Sequence, residues 1–506
     1  MARARTVRSR HDQVTSLVIP VRETRRERAE REAAEGEIAE LLAADAREEA
    51  ERVAAEQREL QELRAQVPRL GPAGKAKLRP WWRMRLVPHK ATTAKLYTAF
   101  PFLADQGLGS EGMLIGRNVF SKEAFSFDPW MLYQAGVLTN PNVVLAGEIG
   151  KGKSSLAKSL VVRGVAFGRR AYIPADPKGE WTPVVRALGG QVIEVGPGSP
   201  VRINPLDPGP RPSNLVDDDE WELVIRTRRL ELLESLAEAI ADRRLDPVER
   251  SALSVALDAS VERHDEPVLS HVVDYLFEPP ADRALPAGFS DREELIGDGR
   301  GVGHSLGQMT TGVLAGVFDG PSTVAFDTRV AAVSIDLSRF DENSPMMPLV
   351  MACTAAWMEA AVRDPAGGLR WMIYDEGWRA MKYPALLRRM QSQWKLARAW
   401  GIANFLVIHR LSDLDAIGDE GSSLRALADG LLADCSTRII YAQQVDQVAN
   451  TVAKLGLTTT ETEYIPNLHQ AHGLWKVGQH SFIVEHQLSA EEWPVFATDA
   501  RMATVA

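Results

Sequence analysis

Short apolar runs alternate with helix-compatible segments through most of the chain beyond residue 140. The run Val143–Ala146 precedes a glycine-rich turn, and a helical segment follows it from Leu156 to Phe167. Alternation of apolar strands with helical patterns is typical of an α/β domain with a mostly parallel sheet. Further runs that predict strands lie at 170–176, 191–195, 323–326, 330–337, 369–374, 403–408 and 436–442, with a β-rich tail at 473–478 and 481–485. We predict that 141–208 and 319–506 form this domain.

Residues 209–318 lack the alternating apolar pattern of the flanking segments. Periodicity and charge pairing predict helices at 221–241, 247–264 and 268–277. This indicates an all-helical subdomain, inserted between strands of the sheet. A small basic cluster, Arg226, Arg228 and Arg229, is expected to form a solvated helix face.

The amino-terminal part of the chain is highly charged. Residues 1–20 carry four arginines and little apolar content, which predicts a disordered basic arm. Residues 21–67 are dense in Glu, Arg and Ala with opposite charges at helical spacing, which predicts a long charged helix or a marginal coiled coil. The stretch 68–140 is a basic and aromatic lead-in. Its residues 75–90 could contact nucleic acid, lipid headgroups or a partner protein, and 92–140 predict a mixture of strands and loops.

Composition narrows the class of protein. The 506 residues are 45% hydrophobic and 25% charged with a net charge of −9, as in soluble globular chains, and they form no global basic footprint for nucleic acid. The chain has two cysteines, which cannot make a disulfide framework, and no apolar run approaches the length of a membrane span. We therefore expect a cytoplasmic protein without a transmembrane segment.

The turn after Val143–Ala146 has the pattern G-x-x-x-x-G-K-[ST] in its strand-turn-helix setting, which predicts a P-loop for ATP and Mg²⁺. Its backbone N–H groups would surround the β-phosphate, Lys153 would reach the β- and γ-phosphates, and Ser154 would bind Mg²⁺. An ordinary glycine-rich turn before a helix is the alternative. The predicted nucleotide-binding residues are Gly147, Gly150, Lys151, Gly152, Lys153, Ser154 and Ser155.

Two adjacent acids, Asp375 and Glu376, follow the apolar run 369–374. In a P-loop enzyme Asp375 would hold the Mg²⁺ shell through water, completing the pair with Ser154, and Glu376 would act as general base toward the attacking water. A surface turn is the alternative interpretation.

Polar residues follow two other predicted strands. Asp176 and Lys178 end the run 170–176, where they could reach the nucleotide or a substrate, although a simple Pro-Gly turn explains them equally well. His409 ends the run 403–408 and is a candidate sensor of the γ-phosphate or a structural cap of a buried strand.

Several motifs together resemble one family. The chain carries, in order, the P-loop, Asp176-Pro-Lys-Gly-Glu180, Asn204-Pro-Leu206, Tyr374-Asp-Glu-Gly-Trp378 and His409-Arg-Leu-Ser-Asp413. In this it resembles the large cytoplasmic ATPases of type IV secretion and conjugation, within the HerA/FtsK superfamily, over roughly 92–485. The predicted helical insertion is part of this resemblance, which implies a RecA-like P-loop NTPase fold. The amino-terminal long helix and a short lead-in stand where many of these ATPases have a large amino-terminal domain.

The family resemblance also implies a homo-oligomeric ring, commonly a hexamer, with nucleotide at subunit interfaces. Arg398 matches the arginine that completes a neighbouring subunit's site in related ATPases, and Arg438 and Arg410 are weaker candidates. The family usually has Gln where this chain has His409. Partners implied are membrane secretion-channel proteins and, in some relatives, DNA, which would make the protein peripheral at the inner face of the cell membrane.

Three functions are consistent with these patterns. The first is an ATP-hydrolysing motor of type IV secretion or conjugation, which powers DNA or protein transfer or channel assembly. The second is a DNA-gripping translocase like the coupling proteins. The third is a nucleotide-binding scaffold subunit of the transfer complex.

Overall fold

The computed structural model describes residues 107–364, 367–408 and 423–496. The predicted basic arm, the long charged helix and the first part of the 68–140 lead-in lie outside these residues, so their structures stay predictions. Within the described part, eleven strands form one sheet, with α-helices packed against it. None of the helices in these three ranges is both long and apolar enough to cross a membrane.

The strands follow one another in the order β2-β1-β11-β10-β9-β3-β8-β7-β4-β6-β5 across the sheet. All pairings from β9 to β5 are parallel, and β10, β11, β1 and β2 extend this sheet in antiparallel fashion. The predicted α/β fold with a mostly parallel sheet is thus confirmed. The strands are β1 (Met113–Asn118), β2 (Ala124–Phe127), β3 (Val143–Ala146), β4 (Arg170–Asp176), β5 (Gln191–Glu194), β6 (Ala332–Asp336), β7 (Arg370–Tyr374), β8 (Ile402–Ile408), β9 (Thr437–Tyr441), β10 (His472–Val477) and β11 (His480–His486).

Helices cover the sheet and fill the long connection between β5 and β6. The described α-helices are α1 (Pro129–Gln134), α2 (Lys153–Ala166), α3 (Thr182–Ala187), α4 (Asp218–Ala241), α5 (Pro247–Arg263), α6 (Leu269–Phe277), α7 (Arg292–Gly307), α8 (Met347–Ala361), α9 (Trp378–Met381), α10 (Pro384–Ala397), α11 (Ser423–Ala433), α12 (Val445–Leu455), α13 (Thr459–Tyr464) and α14 (Glu492–Phe496).

Strand β3 shows why the central strands are continuous apolar runs. Val143 and Leu145 pack in the cluster that includes α2, whereas Val144 and Ala146 pack in the cluster on the other face, with α10 and α11. All four side chains are fully buried. Because successive side chains of a strand point to opposite faces, a strand covered on both faces needs apolar residues throughout.

The structure corrects two predictions about which segments belong to the sheet. Strands β1 and β2 lie inside the predicted 68–140 lead-in, yet β1 pairs with β11, so this part of the lead-in belongs to the sheet. The strand predicted at Thr323–Phe326 is wrong. Its backbone makes isolated contacts, with Thr323 N donating to the carbonyl of Arg202 at 3.1 Å, and the Gln191 side chain donating to the carbonyl of Ala325 at 2.9 Å.

Four helices, α4 to α7, lie between β5 and β6. The sequence pattern indicated three of them and missed α7, because its five glycines lower helix propensity. One of these glycines lies against a neighbouring helix: a Cβ on Gly303 would lie 3.0 Å from the ring of Phe277, which is tighter than an ordinary contact.

The basic cluster of α4 is largely buried, so the predicted solvated face is wrong for two of its three arginines. Arg228 and Arg229 are both buried. Arg229 Nε donates to the carbonyl of Leu206 at 2.7 Å, and Arg228 donates to the carbonyl of Pro208 at 3.1 Å. These guanidinium groups therefore anchor the inserted helices to the loop after β5.

The candidate residues meet at the carboxyl edge of the parallel strands. Strand β8 lies between β3 and β7, with Ala146 opposite Ile408 and Leu406 opposite Tyr374. Strands β4 and β7 are neighbours in the same sheet. Because parallel strands end at a common edge, the residues that follow β3, β4 and β7 come together there.

Candidate nucleotide-binding site

The glycine-rich turn between β3 and α2 has a backbone that requires glycine. Gly147, Gly150 and Gly152 have φ values of 152°, 80° and 103°. These values lie where side chains are disfavoured. A Cβ on Gly147 would also lie only 2.6 Å from the Cβ of Tyr441 on β9. The loop thus has the strand-turn-helix geometry predicted for a P-loop, and α2 begins at Lys153.

Neighbouring segments hold this loop in place. The Glu148 amide donates to the carbonyl of Ala442 at 3.0 Å, and the Gln444 side chain donates to the Glu148 carboxylate at 2.8 Å. On the other side the Ala471 amide donates to the carbonyl of Lys151 at 3.0 Å. Because the loop is held at both sides, little conformational entropy is lost when its N–H groups bind an anion.

Lys153 is a buried cation at the end of the loop. It is 3% exposed, and its Nζ donates to the carbonyl of Glu148 at 2.8 Å. Burial lowers the pKa of Lys153 to about 8, although the carboxylates of Asp375, Glu376 and Glu148 favour its charged form. The nearby positive charge of Lys178 lowers the same pKa further.

This pKa predicts how nucleotide affinity depends on pH. The charged lysine is the form that attracts phosphate, so affinity is fully present below pH 8 and is lost as pH rises. For Mg-ADP we expect the dissociation constant to increase by up to about tenfold per pH unit above that value. Calorimetric titrations between pH 7 and 9.5 measure this. Lys153→Ala should bind weakly with a flat profile, and a flat profile in the wild type would contradict the assignment.

Asp375 and Ser154 line one small cavity at the end of the sheet. The other lining residues are Asp176, Pro177, Lys178, Glu180 and Glu376. Trp181 Nε1 donates to Asp375 Oδ2 at 3.0 Å and so fixes the orientation of this carboxylate.

The donors in this cavity fit Mg²⁺. Magnesium in nucleotide sites is held by one or two protein oxygens together with phosphates and waters. A serine hydroxyl and a carboxylate facing one cavity provide such a set. Among residues 107–364, 367–408 and 423–496, no group of three or more His, Cys, Asp and Glu side chains forms a metal site of its own.

Glu376 is buried, and protein groups contact both of its carboxylate oxygens. Lys178 Nζ donates to Oε1 at 2.7 Å, and Trp378 Nε1 donates to Oε2 at 2.7 Å. Arg379 Nε lies 3.6 Å from Oε2. The backbone of Glu376 has a φ of 57°, in the left-handed region. A non-glycine residue in this region is uncommon and is typical of functional sites.

The turn after β4 brings Lys178 to Glu376. The Asp176 carboxylate accepts hydrogen bonds from the amides of Glu180 at 3.1 Å and Trp181 at 2.8 Å, which closes the turn. Burial raises the pKa of Asp176 to about 7, and the charges of Asp375 and Asp336 raise it further against the effect of these hydrogen bonds. The segment is both a capped Pro-Gly turn and part of the site.

Two predicted catalytic residues cannot be located in the site. His409 and Arg410 follow the end of β8 and lie outside the described residues. Arg398 begins a short 3₁₀ turn after α10, but its side chain is not described. Arg438 donates to the carbonyl of Leu455 at 2.7 Å, at the end of α12. The roles of these residues stay predictions.

Residue patterns alone missed the groups that orient the two acids. Trp181 and Trp378 donate to Asp375 and Glu376, respectively. Trp181 directly follows the motif Asp176–Glu180, and Trp378 is the last residue of the motif Tyr374–Trp378, so membership of these motifs was the signal that pointed to both. The contact of Trp181 with Asp375 depends on how β4 and β7 lie side by side, which local sequence does not show, whereas Trp378 contacts a residue only two positions before it.

Comparison with known proteins identifies the fold. No protein-family profile and no curated protein sequence matches the chain. Among solved structures, VirB4 of Thermoanaerobacter pseudethanolicus superposes with a TM-score of 0.63 at 18% identity, covering 77% of this chain and 100% of VirB4. The plasmid coupling protein TrwB in complex with ADP and Mg²⁺ superposes with a TM-score of 0.51 at 14% identity, covering 84% of this chain and 99% of TrwB.

A second TrwB structure, in complex with a non-hydrolysable ATP analogue, gives the same TM-score of 0.51 at 13% identity and covers 79% of this chain and 93% of TrwB. These similarities cover between 77% and 84% of the chain, far more than the P-loop alone. The chain therefore has the RecA-like P-loop NTPase fold that VirB4 and TrwB share.

Proposed function

We propose that this chain is an ATP-hydrolysing motor of a type IV secretion or conjugation system, which powers DNA or protein transfer or assembly of the channel. One observation carries the proposal. Ser154 of the P-loop lines one cavity with Asp375 and Glu376, and the charges of these two acids act on the buried Lys153, in a chain with the fold of VirB4. TrwB with the same fold is known in complex with ADP and Mg²⁺, which supports ATP and Mg²⁺ as the ligands here.

Each side chain then has a role in phosphoryl transfer. The loop amides and Lys153 bind the β- and γ-phosphates, and Ser154 and Asp375 hold Mg²⁺, the latter through water. Bound Mg²⁺ neutralises charge on the phosphates. Glu376 accepts a proton as the water oxygen bonds to the γ-phosphorus and the bond to the ADP oxygen breaks, releasing ADP and phosphate.

The remaining parts of the proposal concern the assembly. We propose that the chain forms a homo-oligomeric ring, a hexamer. In this ring Arg398 of one subunit offsets the charge on the γ-phosphate that its neighbour binds. The protein works at the inner face of the cell membrane with secretion-channel proteins. His409 senses the γ-phosphate from the end of β8.

A DNA-gripping translocase is the second candidate, because the fold is also that of the coupling protein TrwB. It requires strong, salt-dependent DNA binding and hydrolysis stimulated by duplex DNA. The motor proposal requires neither DNA binding by this chain nor stimulation of its ATP hydrolysis by DNA. Measuring both quantities on the full chain separates the two candidates.

Transfer in the cell tests the proposed function. Lys153→Ala removes the buried cation of the loop, and we expect the frequency of conjugative transfer to fall by at least about 10²-fold. Lys122→Ala, in the exposed turn between β1 and β2, is the matched control and should transfer normally. Undiminished transfer with Lys153→Ala, at normal protein levels, would overturn the proposal.

A further inference from the structure

Helix α10 leads directly to Arg398. The helix spans Pro384–Ala397, and Arg398 begins the 3₁₀ turn that follows it. Because a helix rises about 1.5 Å per residue, Arg388 in the first half of α10 lies roughly 15 Å from Arg398 along the helix axis. A contact that moves α10 at Arg388 therefore also moves the backbone that carries Arg398.

Two adjacent arginines of α10 contact two different parts of the protein. Arg389 donates to Glu359 of α8 at 3.2 Å, and both side chains are 8% exposed. Helix α8 packs against β4 of the sheet. Arg388 donates to Glu238 of α4 at 2.7 Å, and α4 belongs to the helical insertion between β5 and β6. One turn of α10 thus contacts both the sheet domain and the insertion.

Glu238 is a firmly held acceptor near the end of α4. Its side chain is 11% exposed, and its Oε1 accepts a hydrogen bond from the amide of Leu245 at 3.2 Å. The Arg250 guanidinium of α5 lies 3.9 Å from the same oxygen. These groups of the insertion fix the carboxylate and direct its other oxygen, Oε2, to Arg388. A charge-assisted hydrogen bond to a largely buried acceptor is stronger than an exposed ion pair.

The other contacts between α4 and α10 are less directional. Leu386 of α10 belongs to the same buried cluster as Leu232 and Leu236 of α4. Contacts between apolar side chains are non-directional, so they allow packed helices to slide or rotate. A hydrogen bond from a guanidinium to a carboxylate has a defined geometry. The contact of Arg388 with Glu238 therefore fixes the position of α10 relative to the insertion.

Open space beside this contact allows such a movement. A groove of about 600 Å³ separates the insertion from α10 and α11, and Glu238 and Arg388 both line it. Pro384 of α10 and Leu427 of α11 form part of the opposite wall. The insertion can therefore move relative to α10 without a steric clash on this side, and the ion pair at the wall of the groove opposes that movement.

We propose that Arg388 is a positioning residue, through which the helical insertion holds α10 where Arg398 reaches the nucleotide of the neighbouring subunit. This rests on the proposed function, in which Arg398 acts in trans. The insertion of one subunit then controls the rate of hydrolysis in the next subunit of the ring. It leaves nucleotide binding within its own subunit unchanged.

Substitution of Arg388 in the full chain separates positioning from binding. Arg388→Met should lower kcat about tenfold and leave the dissociation constant of Mg-ATPγS unchanged. Arg388→Lys keeps the charge and should retain most of the turnover. Arg226→Met is the matched control, because Arg226 makes an ion pair of the same length, 2.7 Å, with Asp258 inside the insertion. Its kcat should equal that of the wild type.

Mixed rings show in which subunit Arg388 acts. In rings of Glu376→Gln and Arg398→Ala subunits, hydrolysis uses the base of the second and the arginine of the first. Arg388→Met added to the Glu376→Gln subunit should lower this hydrolysis about tenfold, and added to the Arg398→Ala subunit it should have no effect. Equal losses in both mixtures, or no loss in either, would overturn the inference. An inactive parent mixture would contradict the action of Arg398 in trans and, with it, this inference.

Discussion

Glu376→Gln is expected to stop ATP turnover while leaving nucleotide binding intact. The amide retains the shape of the carboxylate and still accepts a hydrogen bond from Trp378, but it cannot accept a proton from water. General-base catalysis contributes about 10² to 10⁴ in rate, so kcat should fall by that factor. Steady-state phosphate release measures kcat, and titration with Mg-ATPγS measures binding.

Glu293→Gln is the matched control for this substitution. It makes the same chemical change at an exposed position in the first turn of α7, and we expect wild-type turnover. Turnover near the wild-type rate in Glu376→Gln would show that the base lies elsewhere. Normal DNA transfer by a Glu376→Gln protein that binds but does not hydrolyse ATP would instead favour the scaffold function.

Arg398→Ala is expected to have the second large effect, a loss of about 10³ to 10⁵ in kcat. An arginine supplied by a neighbouring subunit offsets the charge that develops on the γ-phosphate, and alanine supplies no such charge. Lys395→Ala, an exposed position one turn earlier on α10, is the control and should keep its turnover.

Mixing two inactive proteins tests whether Arg398 acts across the interface. Glu376→Gln subunits retain the arginine, and Arg398→Ala subunits retain the base. In mixed rings some sites combine an intact base with an intact neighbouring arginine, so hydrolysis should reappear on mixing. A mixture that stays inactive, although the subunits are shown to exchange, would contradict the role in trans.

The sequence pattern was sufficient to predict site residues where all of them lie in one short segment. The P-loop is such a case, because its glycines and Lys153 lie within a single turn and the apolar run before it has to be a buried strand. Asp375 and Glu376 were identified for the same reason, since both follow β7 directly.

Local sequence patterns could not predict contacts between segments that are distant in the chain. The Trp181 to Asp375 hydrogen bond joins residues 194 positions apart, and it exists only because β4 and β7 are neighbours in the sheet. Likewise, the lead-in strand β1 is short and ambiguous by itself, and its pairing with the distant strand β11 places it in the main sheet. Burial of Arg228 depends on backbone carbonyls in the loop after β5, which no charge pattern reveals.

Steady-state ATP hydrolysis by the wild-type chain across a wide range of protein concentration tests the central claim most directly. A motor whose sites are shared between subunits should show specific activity that rises with concentration and reaches a plateau, and Glu376→Gln and Arg398→Ala should both abolish it. Specific activity that is constant down to concentrations at which the protein is monomeric, or that survives either substitution, would contradict the account.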